Sequence, residues 1–242
     1  LLAVGALSAK KVRDSSDFFV AGGKMPWWLA GVSHHVSGYS GGVFVGYAAI
    51  AYTHGITIYV WWALTIAVGT AIGAFLIAPK WAELRRQQGI QSPTEYLLGR
   101  YGLATQQLVA WSGVLLKLFD VGAKWTAIAI LLNSFTGLPM RWGILLSGGI
   151  SMVYVTLGGL WADIRNDFIQ FIVQLAAGLV MLWMVIRHLG GWTNTSEAWM
   201  QLPAENRALF HDPYGPTFFL AFLMINFLSY NGGTWNLALR FI

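Results

Sequence analysis

The chain has 242 residues, of which 56% are hydrophobic and only 10% are charged, and its mean hydropathy is +0.57. Because soluble domains carry about 25% charged residues, this composition excludes an ordinary soluble protein and indicates a polytopic protein of the lipid bilayer. The net charge of +5 does not indicate a nucleic-acid partner, since the basic residues lie in short loops between apolar segments. The lack of cysteine excludes disulfides, thiol nucleophiles and thiolate metal sites.

Apolar runs bounded by charged residues, glycine or proline predict six membrane-spanning segments. They are residues 26–51, 55–78, 104–135, 142–157, 168–188 and 217–239. An apolar stub at residues 1–9 is too short to cross about 30 Å of hydrocarbon, and we expect it to be the end of a helix that begins before Leu1. The sequence therefore predicts one all-α transmembrane domain over residues 1–242 that is truncated at both ends.

The first predicted segment is interrupted at its centre by residues 36–42, which read VSGYSGG. An unpaired backbone group in hydrocarbon costs several kcal/mol, so irregular backbone at that depth is found where it lines a cavity or holds an ion. Discontinuous helices near the bilayer midplane mark the ion and substrate sites of secondary transporters. The alternative interpretation is a continuous helix kept slim by small residues for packing.

Shorter signals follow the interrupted segment. Gly69 and Gly73 lie four residues apart and predict a smooth helix face for close packing. Ser92, Pro93 and Glu95 supply the cap, first-turn proline and third-position glutamate of a helix start, so we expect a short amphipathic helix there. The polar residues 190–216 predict a loop that is partly helical.

Basic residues are concentrated on one side of the predicted segments, and the positive-inside rule assigns that side to the cytoplasm. This side holds Lys10, Lys11, Arg13, Lys24, Lys80, Arg85, Arg86, Arg100, Arg165 and Arg240, against Arg141, Arg187 and Arg207 on the other. The loop at residues 190–216 then faces outward. We expect a multi-pass protein of an inner or plasma membrane.

Lys117, Asp120 and Lys124 are charged residues inside the third full segment, where their spacing places them on one helical face. Charges at that depth mark a cavity or an ion path by default, which makes the three residues candidates for recognising a charged substrate. The alternative is a structural pair between Asp120 and one lysine, with the other lysine extending toward the interface. An unpaired lysine would favour an anionic solute.

Other groups that often carry chemistry give no enzyme or metal site. His34 and His35 project about 100° apart on a helix and cannot face one site, so we expect one of them to pack against a neighbouring helix through a hydrogen bond. The sequence contains no Gly-x-Ser-x-Gly, His-Glu-x-x-His or phosphate-binding loop. We expect a protein that is not an enzyme and carries no organic cofactor.

Four stretches, in their order and spacing, resemble the sodium/solute symporter family, which includes sodium-coupled sugar, proline, pantothenate and sialic acid transporters. They are residues 17–46, 93–102, 158–170 and 230–241, which contain DFFVAGGKMPWW, PTEYLLGRYG, GGLWA with NDFIQ, and LRF. The resemblance implies a core of five plus five helices in inverted repeat, preceded by an extra helix. It assigns residues 1–9 to the extra helix, 26–188 to the first repeat and 217–242 to the first helix of the second.

The resemblance also implies a sodium site at the interruption. Val36 and Tyr39 match positions whose backbone carbonyls bind sodium in the family, with the hydroxyl of Ser40 beside them. Asp167 matches an aspartate on the sodium exit path, although a carboxylate at the start of a helix is also an ordinary partner of the helix dipole.

The substrate residues implied by the resemblance are Ser37, Gly38, Val43, Tyr230 and Asn231. Tyr230 matches a gating tyrosine in a second interruption at residues 230–234, and its alternative role is that of an interfacial aromatic. Gly38 stands where the proline-transporting branch has an aspartate, which argues against a carboxylate-dependent sodium mode. Val43 stands where sugar-transporting members have a glutamine, so sugar recognition identical to theirs is not expected.

These observations together predict a secondary active transporter that couples sodium entry to uptake of a small organic solute by alternating access. A sugar or polyol is the first expectation for the solute, and a small carboxylate is the second because of Lys117 and Lys124. The alternatives are a proton-coupled symporter and a membrane solute sensor that carries the same module fused to a signalling domain.

Overall fold

The structure is a computed structural model that describes residues 1–233 and 235–242, excluding the side chains of Phe44, Gly232, Gly233, Trp235 and Asn236. Within these residues the chain forms helices joined by short turns and contains no β-strand, which confirms the all-α fold class. Thr234, the last residue of the second predicted interruption, lies outside the described part of the chain.

The described residues contain thirteen α-helices, numbered here in chain order. They are α1 Leu2–Ala9, α2 Ser15–Val20, α3 Trp27–Gly38, α4 Ala48–His54, α5 Thr65–Leu76, α6 Ala78–Gln88, α7 Pro93–Tyr101, α8 Leu103–Thr136, α9 Met140–His188, α10 Trp192–Gln201, α11 Ala204–Arg207, α12 Pro216–Leu228 and α13 Trp235–Ala238. Wider π-helical segments lie at Val43–Tyr47, Tyr59–Leu64 and Ser229–Gly233.

The two helices that best fit a bilayer are Tyr59–Gln88 and Met140–His188. By length and composition each of them is apolar and long enough to cross a membrane, and Pro216–Asn231 is a shorter apolar helix. The first of these helices continues through α6 to Gln88, ten residues beyond the predicted end, with a slight bend at Ile77. That extension carries Lys80, Arg85 and Arg86 past the apolar stretch on which the prediction relied.

The largest difference from the sequence prediction lies in α9. Residues 158–167 were expected to form a loop between two segments, but the helix runs through them with one kink at Gly159 (φ 52°, ψ −144°), a conformation that glycine adopts without strain. Leu160 and Ile164 are buried and pack against Ala21 and its neighbours. Two polar residues of this stretch, Asn166 and Asp167, are buried in the protein, which is why hydropathy alone placed the segment ends wrongly at residues 157 and 168.

Asp167 is repositioned by this continuous helix. It lies eight residues beyond the Gly159 kink and is 6% exposed, so it does not stand at a helix start. Its interpretation as a helix-dipole partner is therefore wrong.

The predicted helix signals outside the long segments are confirmed. The Ser92 hydroxyl accepts from the Glu95 amide at 3.4 Å, and the Glu95 carboxylate accepts from the Gln91 amide at 2.7 Å, which closes a reciprocal cap at the start of α7. The outer loop is partly helical, through α10 and α11. Its chain bonds back onto the helices, since the Ile56 amide donates to the Asn206 carbonyl at 2.9 Å.

Helices α5 and α12 pack closely along the glycine face that the sequence predicted. A methyl group at Gly69 would lie 3.0 Å from the backbone nitrogen of Phe227, so only a small residue fits there. The Asn226 side chain donates to the Thr65 hydroxyl at 2.7 Å, and the Asn231 side chain donates to the Gly69 carbonyl at 3.1 Å. Small residues and buried amides together hold the two helices in one register.

Replacing Gly73 by alanine is expected to destabilise the fold, because the new methyl group would overlap the Asn231 carboxamide. The amide cannot move away without losing its bonds to the carbonyls of Gly69 and Phe227. Overpacking of this kind is expected to lower the free energy of unfolding by about 1–3 kcal/mol. Thermal melting of the purified protein in detergent measures the effect.

Gly178→Ala in α9 is the matched control, because a methyl group at this helical glycine meets no atom within 4 Å. It is expected to leave the melting temperature unchanged or to raise it, since alanine favours the helix. Equal melting temperatures for the two variants would contradict the packing described for Gly73.

Candidate functional site

The first interruption lies where the sequence placed it. Helix α3 ends at Gly38, Tyr39 takes an extended conformation (φ −93°, ψ 137°), and the helix resumes at residue 41. The Tyr39 amide donates to the carbonyls of Val36 at 3.0 Å and His35 at 3.1 Å, while the Ser40 hydroxyl accepts from the Gly42 amide at 3.3 Å. Backbone and hydroxyl oxygens are thus gathered within one turn of the break.

The second interruption, the π-helical segment Ser229–Gly233, packs against the first. The His34 ring donates from Nε2 to the Tyr230 carbonyl at 2.9 Å, so this nitrogen carries the proton. The Tyr230 ring covers Gly38, where an added methyl group would lie 2.9 Å from Tyr230 Cε1. The indole of Trp81 donates to the Asn231 carbonyl at 3.0 Å. Side chains from two other helices therefore satisfy carbonyls of the irregular segment.

A cavity of about 1190 Å³ opens beside the two interruptions. Its wall combines a largely apolar stripe of α5 with polar and aromatic groups. These groups include His34, Tyr39, Trp62, Thr70 and Tyr230, and Gly38 and the guanidinium groups of Arg85, Arg86 and Arg240 also line the cavity. A largely apolar cavity with a few convergent polar groups is the usual form of a small-molecule site, and its size suits an organic solute.

Below the break lies a set of polar side chains that we call the inner polar cluster, made up of the buried Ser33, Asp167 and Arg240 and the partly buried Ser37 and Asp163. Arg240 Nη2 donates to Asp163 Oδ2 at 2.6 Å and to the Ser37 hydroxyl at 2.6 Å. The Ser33 hydroxyl donates to Asp167 Oδ2 at 2.5 Å and accepts from Arg240 Nε at 3.1 Å. The cluster joins α3, α9 and the last described turn of the chain.

The inner polar cluster carries two carboxylates and one guanidinium. The Arg240 side chain is only 3% exposed and the Asp167 side chain 8%, so their charges interact with little screening by solvent. Arg240 Nη2 lies 3.7 Å from Asp167 Oδ2, which is a looser contact than its bond to Asp163. The Ser37 hydroxyl, directly before Gly38, lies 3.4 Å from Asp167 Oδ2 and links the cluster to the break.

The charged triad of α8 forms a local network. Lys117 Nζ lies 2.9 Å and Lys124 Nζ 3.2 Å from the same oxygen of Asp120. The shared helical face is confirmed, and both lysines bond to Asp120, where the sequence interpretation paired only one. None of the three lines the cavity beside the break.

The two remaining predicted site residues, Val43 and Asn231, lie in different surroundings. Val43 begins the π-helical segment that follows the break and so stays next to the proposed ion ligands. Asn231 points away from the break: it is 2% exposed, and its amide bonds to carbonyls of α5 and α12. Adjacent residues of a helix diverge by about 100°, which explains why Tyr230 and Asn231 face different neighbours.

Three members of the inner polar cluster were missed as site residues by the sequence analysis: Ser33, Asp163 and Arg240. The four-residue spacings of Ser33 with Ser37 and of Asp163 with Asp167 place each pair on one helical face, and this was the available signal. Arg240 was used for membrane orientation and as part of the LRF motif, but not as a site residue. Its contacts lie 77 residues away at Asp163 and 203 residues away at Ser37.

Comparison with known proteins identifies the family. The sequence model of the sodium:solute symporter family matches residues 18–232. The chain belongs to this family. Members of this family are transporters.

Individual relatives cover most of this chain at low identity. The Proteus mirabilis sodium/sialic acid symporter SiaT is 28% identical over 93% of this chain and 46% of its own length. The rat solute carrier family 5 member 4 is 26% identical over 83% and 30%, and the Vibrio parahaemolyticus sodium/glucose cotransporter is 25% identical over 74% and 32%. The chain thus spans less than half the length of these relatives.

A solved structure shares the fold. It is described as the substrate-bound outward-open state of a Na⁺-coupled sialic acid symporter with a novel Na⁺ site, and it superimposes with a TM-score of 0.78 at 25% identity. The superposition covers 99% of this chain and 51% of that one. The arrangement of helices around the two interruptions is therefore that of a symporter.

Gly38→Ala is expected to displace the Tyr230 ring and to lower the free energy of unfolding by about 1–2 kcal/mol, because the methyl group would lie 2.9 Å from Tyr230 Cε1. Thermal melting measures the loss. In a protein that already carries Tyr230→Ala, the further loss caused by Gly38→Ala is expected to disappear. Gly46→Ala is the control, since a methyl group there meets no atom within 4 Å. A loss that persists without the tyrosine ring would show that the ring does not cover Gly38.

Proposed function

We infer that the protein is a sodium-coupled symporter of a small organic solute that works by alternating access. The observation that most supports this function is that two interrupted helices meet at Tyr230 and Gly38. They meet beside a cavity and above the carboxylates of the inner polar cluster. Interrupted helices at one depth supply backbone dipoles for an ion and a solute together. Membership of a symporter family supports the same conclusion.

The sodium site is proposed at the first interruption, with the carbonyls of Val36 and Tyr39 and the hydroxyl of Ser40 as ligands. Oxygen ligands suit a hard cation, and these three residues lie within the same turn. Asp167 would hold sodium on its way to the cytoplasm, since Ser37 links its carboxylate to the break at 3.4 Å.

The solute site is proposed in the cavity between α3, α5 and Tyr230, with Gly38 in its wall, whereas the predicted substrate residues Ser37 and Val43 are not among the residues that line it. A sugar or polyol remains the first candidate for the solute, because hydroxyl and aromatic groups such as Tyr39 and Thr70 line the cavity. A small carboxylate stands second. Its support is weaker, because Lys117 and Lys124 both bond to Asp120 and do not line the cavity.

In the proposed cycle, sodium bound at the break stabilises the outward-open state, the solute binds beside it, and one bundle of helices rocks to open the site inward. Entry of one sodium ion down a membrane potential of 100 mV supplies about 2.3 kcal/mol, to which the concentration gradient adds. Tyr230 lies over Gly38 and would move when the cavity opens. No covalent step is involved.

The test is uptake by the full natural protein reconstituted in proteoliposomes. Labelled sugars, polyols and small carboxylates are offered with an inward sodium gradient and, separately, with potassium in place of sodium. Accumulation only with sodium is expected, and the accumulated compound names the solute class. Accumulation driven by a proton gradient alone would replace sodium coupling by proton coupling, and binding without accumulation would favour a solute sensor.

Replacing Ser40 by alanine is expected to raise the sodium concentration for half-maximal uptake by about tenfold, because the site would lose one of its oxygen ligands. Ser112→Ala is the control, since the Ser112 hydroxyl is exposed on α8 and bonds only to the Val109 carbonyl of its own helix. The measurement is the sodium dependence of initial uptake rates. An unchanged sodium dependence in Ser40→Ala would remove Ser40 from the site.

A further inference from the structure

In the inner polar cluster, Arg240 lies closer to one carboxylate than to the other. The same nitrogen, Nη2, lies 2.6 Å from Asp163 and 3.7 Å from Asp167. It also bonds to the Ser37 hydroxyl at 2.6 Å, and Nε bonds to the Ser33 hydroxyl at 3.1 Å. A shift of about 1 Å in this buried guanidinium would therefore exchange one carboxylate partner for the other.

The charge of the cluster is unbalanced among the described residues. Two carboxylates face one guanidinium, which leaves an excess of one negative charge in a site where Asp167 is 6% exposed. Buried carboxylates are strongly destabilising without a counter-charge, so the excess favours entry of a cation. Asp167, whose contact with Arg240 is the longer one, is the more deeply buried carboxylate and the one that the guanidinium neutralises less.

We propose that Arg240 is a tethered competitor of sodium for Asp167, and that Asp163 positions Arg240 so that sodium can reach Asp167. The inference rests on the proposed function and adds two positioning residues to it. When Arg240 bonds to Asp163, the Asp167 carboxylate accepts from the Ser33 and Ser37 hydroxyls and is open to a cation. When Arg240 shifts to Asp167, it displaces that cation toward the cytoplasm.

This competition predicts opposite effects for the two partners of one ion pair. Arg240→Gln removes the competitor and leaves both carboxylates for sodium, so the sodium concentration for half-saturation is expected to fall at least about fivefold. Asp163→Asn removes the residue that holds Arg240 away, so Arg240 pairs with Asp167 and the half-saturating concentration is expected to rise by a similar factor. If the ion pair only held helices together, both substitutions would shift the half-saturating sodium concentration in the same direction.

The experiment is equilibrium binding of radioactive sodium to the full natural protein, purified and reconstituted, with sodium alone as the probe. Arg240→Lys keeps a cation and is expected to stay within about twofold of the unmodified protein, which also covers the case in which Arg240→Gln does not fold. Arg13→Gln is the matched control, an exposed arginine on the same predicted side, and it is expected to leave sodium binding unchanged.

A double variant separates competition from simple loss of charge. In the Arg240→Gln background, Asp163→Asn is expected to raise the half-saturating sodium concentration much less than it does alone, because no guanidinium remains to be released. An equal rise in both backgrounds, or shifts of the same sign for the two single variants, would overturn the inference and leave the symporter intact. Absence of sodium binding in the unmodified protein would instead overturn the proposed function.

Discussion

The structure depends on a requirement that follows from its solvent, because every polar backbone group exposed by an interrupted helix must find a partner inside the protein. The two interruptions meet this requirement by lying against each other. His34, from the turn before the first interruption, donates to the Tyr230 carbonyl in the second, and Trp81 donates to the carbonyl of the next residue. Because the second irregular segment is held by side chains of α3 and α6, it cannot be moved without disturbing its neighbours.

The inner polar cluster extends the same principle from backbone to side chains. Its members come from α3, α9 and the end of the described chain, and they join helices that share few other polar contacts. A buried ion pair contributes little net stability compared with apolar packing, yet it is costly to break once formed. The value of such a cluster to a transporter is therefore the small number of arrangements it permits. Two carboxylates and one guanidinium allow two discrete pairings, and a discrete choice is what a gate requires.

The sequence was sufficient for the helical class, the first interruption and the close contact at Gly69, because each of these has a local cause. Hydrophobic runs indicate contact with lipid, glycines four residues apart indicate a face for close packing, and Ser92 indicates a helix cap. The helical course of residues 158–167 could not be predicted, because Asn166 and Asp167 are polar residues buried by tertiary packing and hydropathy treats them as a loop. The role of Arg240 was hidden for a similar reason. Its partners are 77 and 203 residues away, and no periodicity within one helix reports a contact over that distance.

Asp163 lies one helical turn from Asp167 and offers Arg240 a second carboxylate partner. A guanidinium that shared one carboxylate with sodium would compete with it directly, and ion binding would weaken in proportion to the strength of that pair. A second carboxylate on the same helical face offers the guanidinium another partner, so that sodium binding to Asp167 does not require an arginine to be left unpaired in a buried site. Under the proposed competition, the pair of Arg240 with Asp163 at 2.6 Å would be the arrangement in which Asp167 holds sodium, and the contact of Arg240 with Asp167 at 3.7 Å would lie on the path to its release. In this proposed exchange, the spacing of Asp163 and Asp167 on α9 would set how readily Arg240 replaces sodium at Asp167.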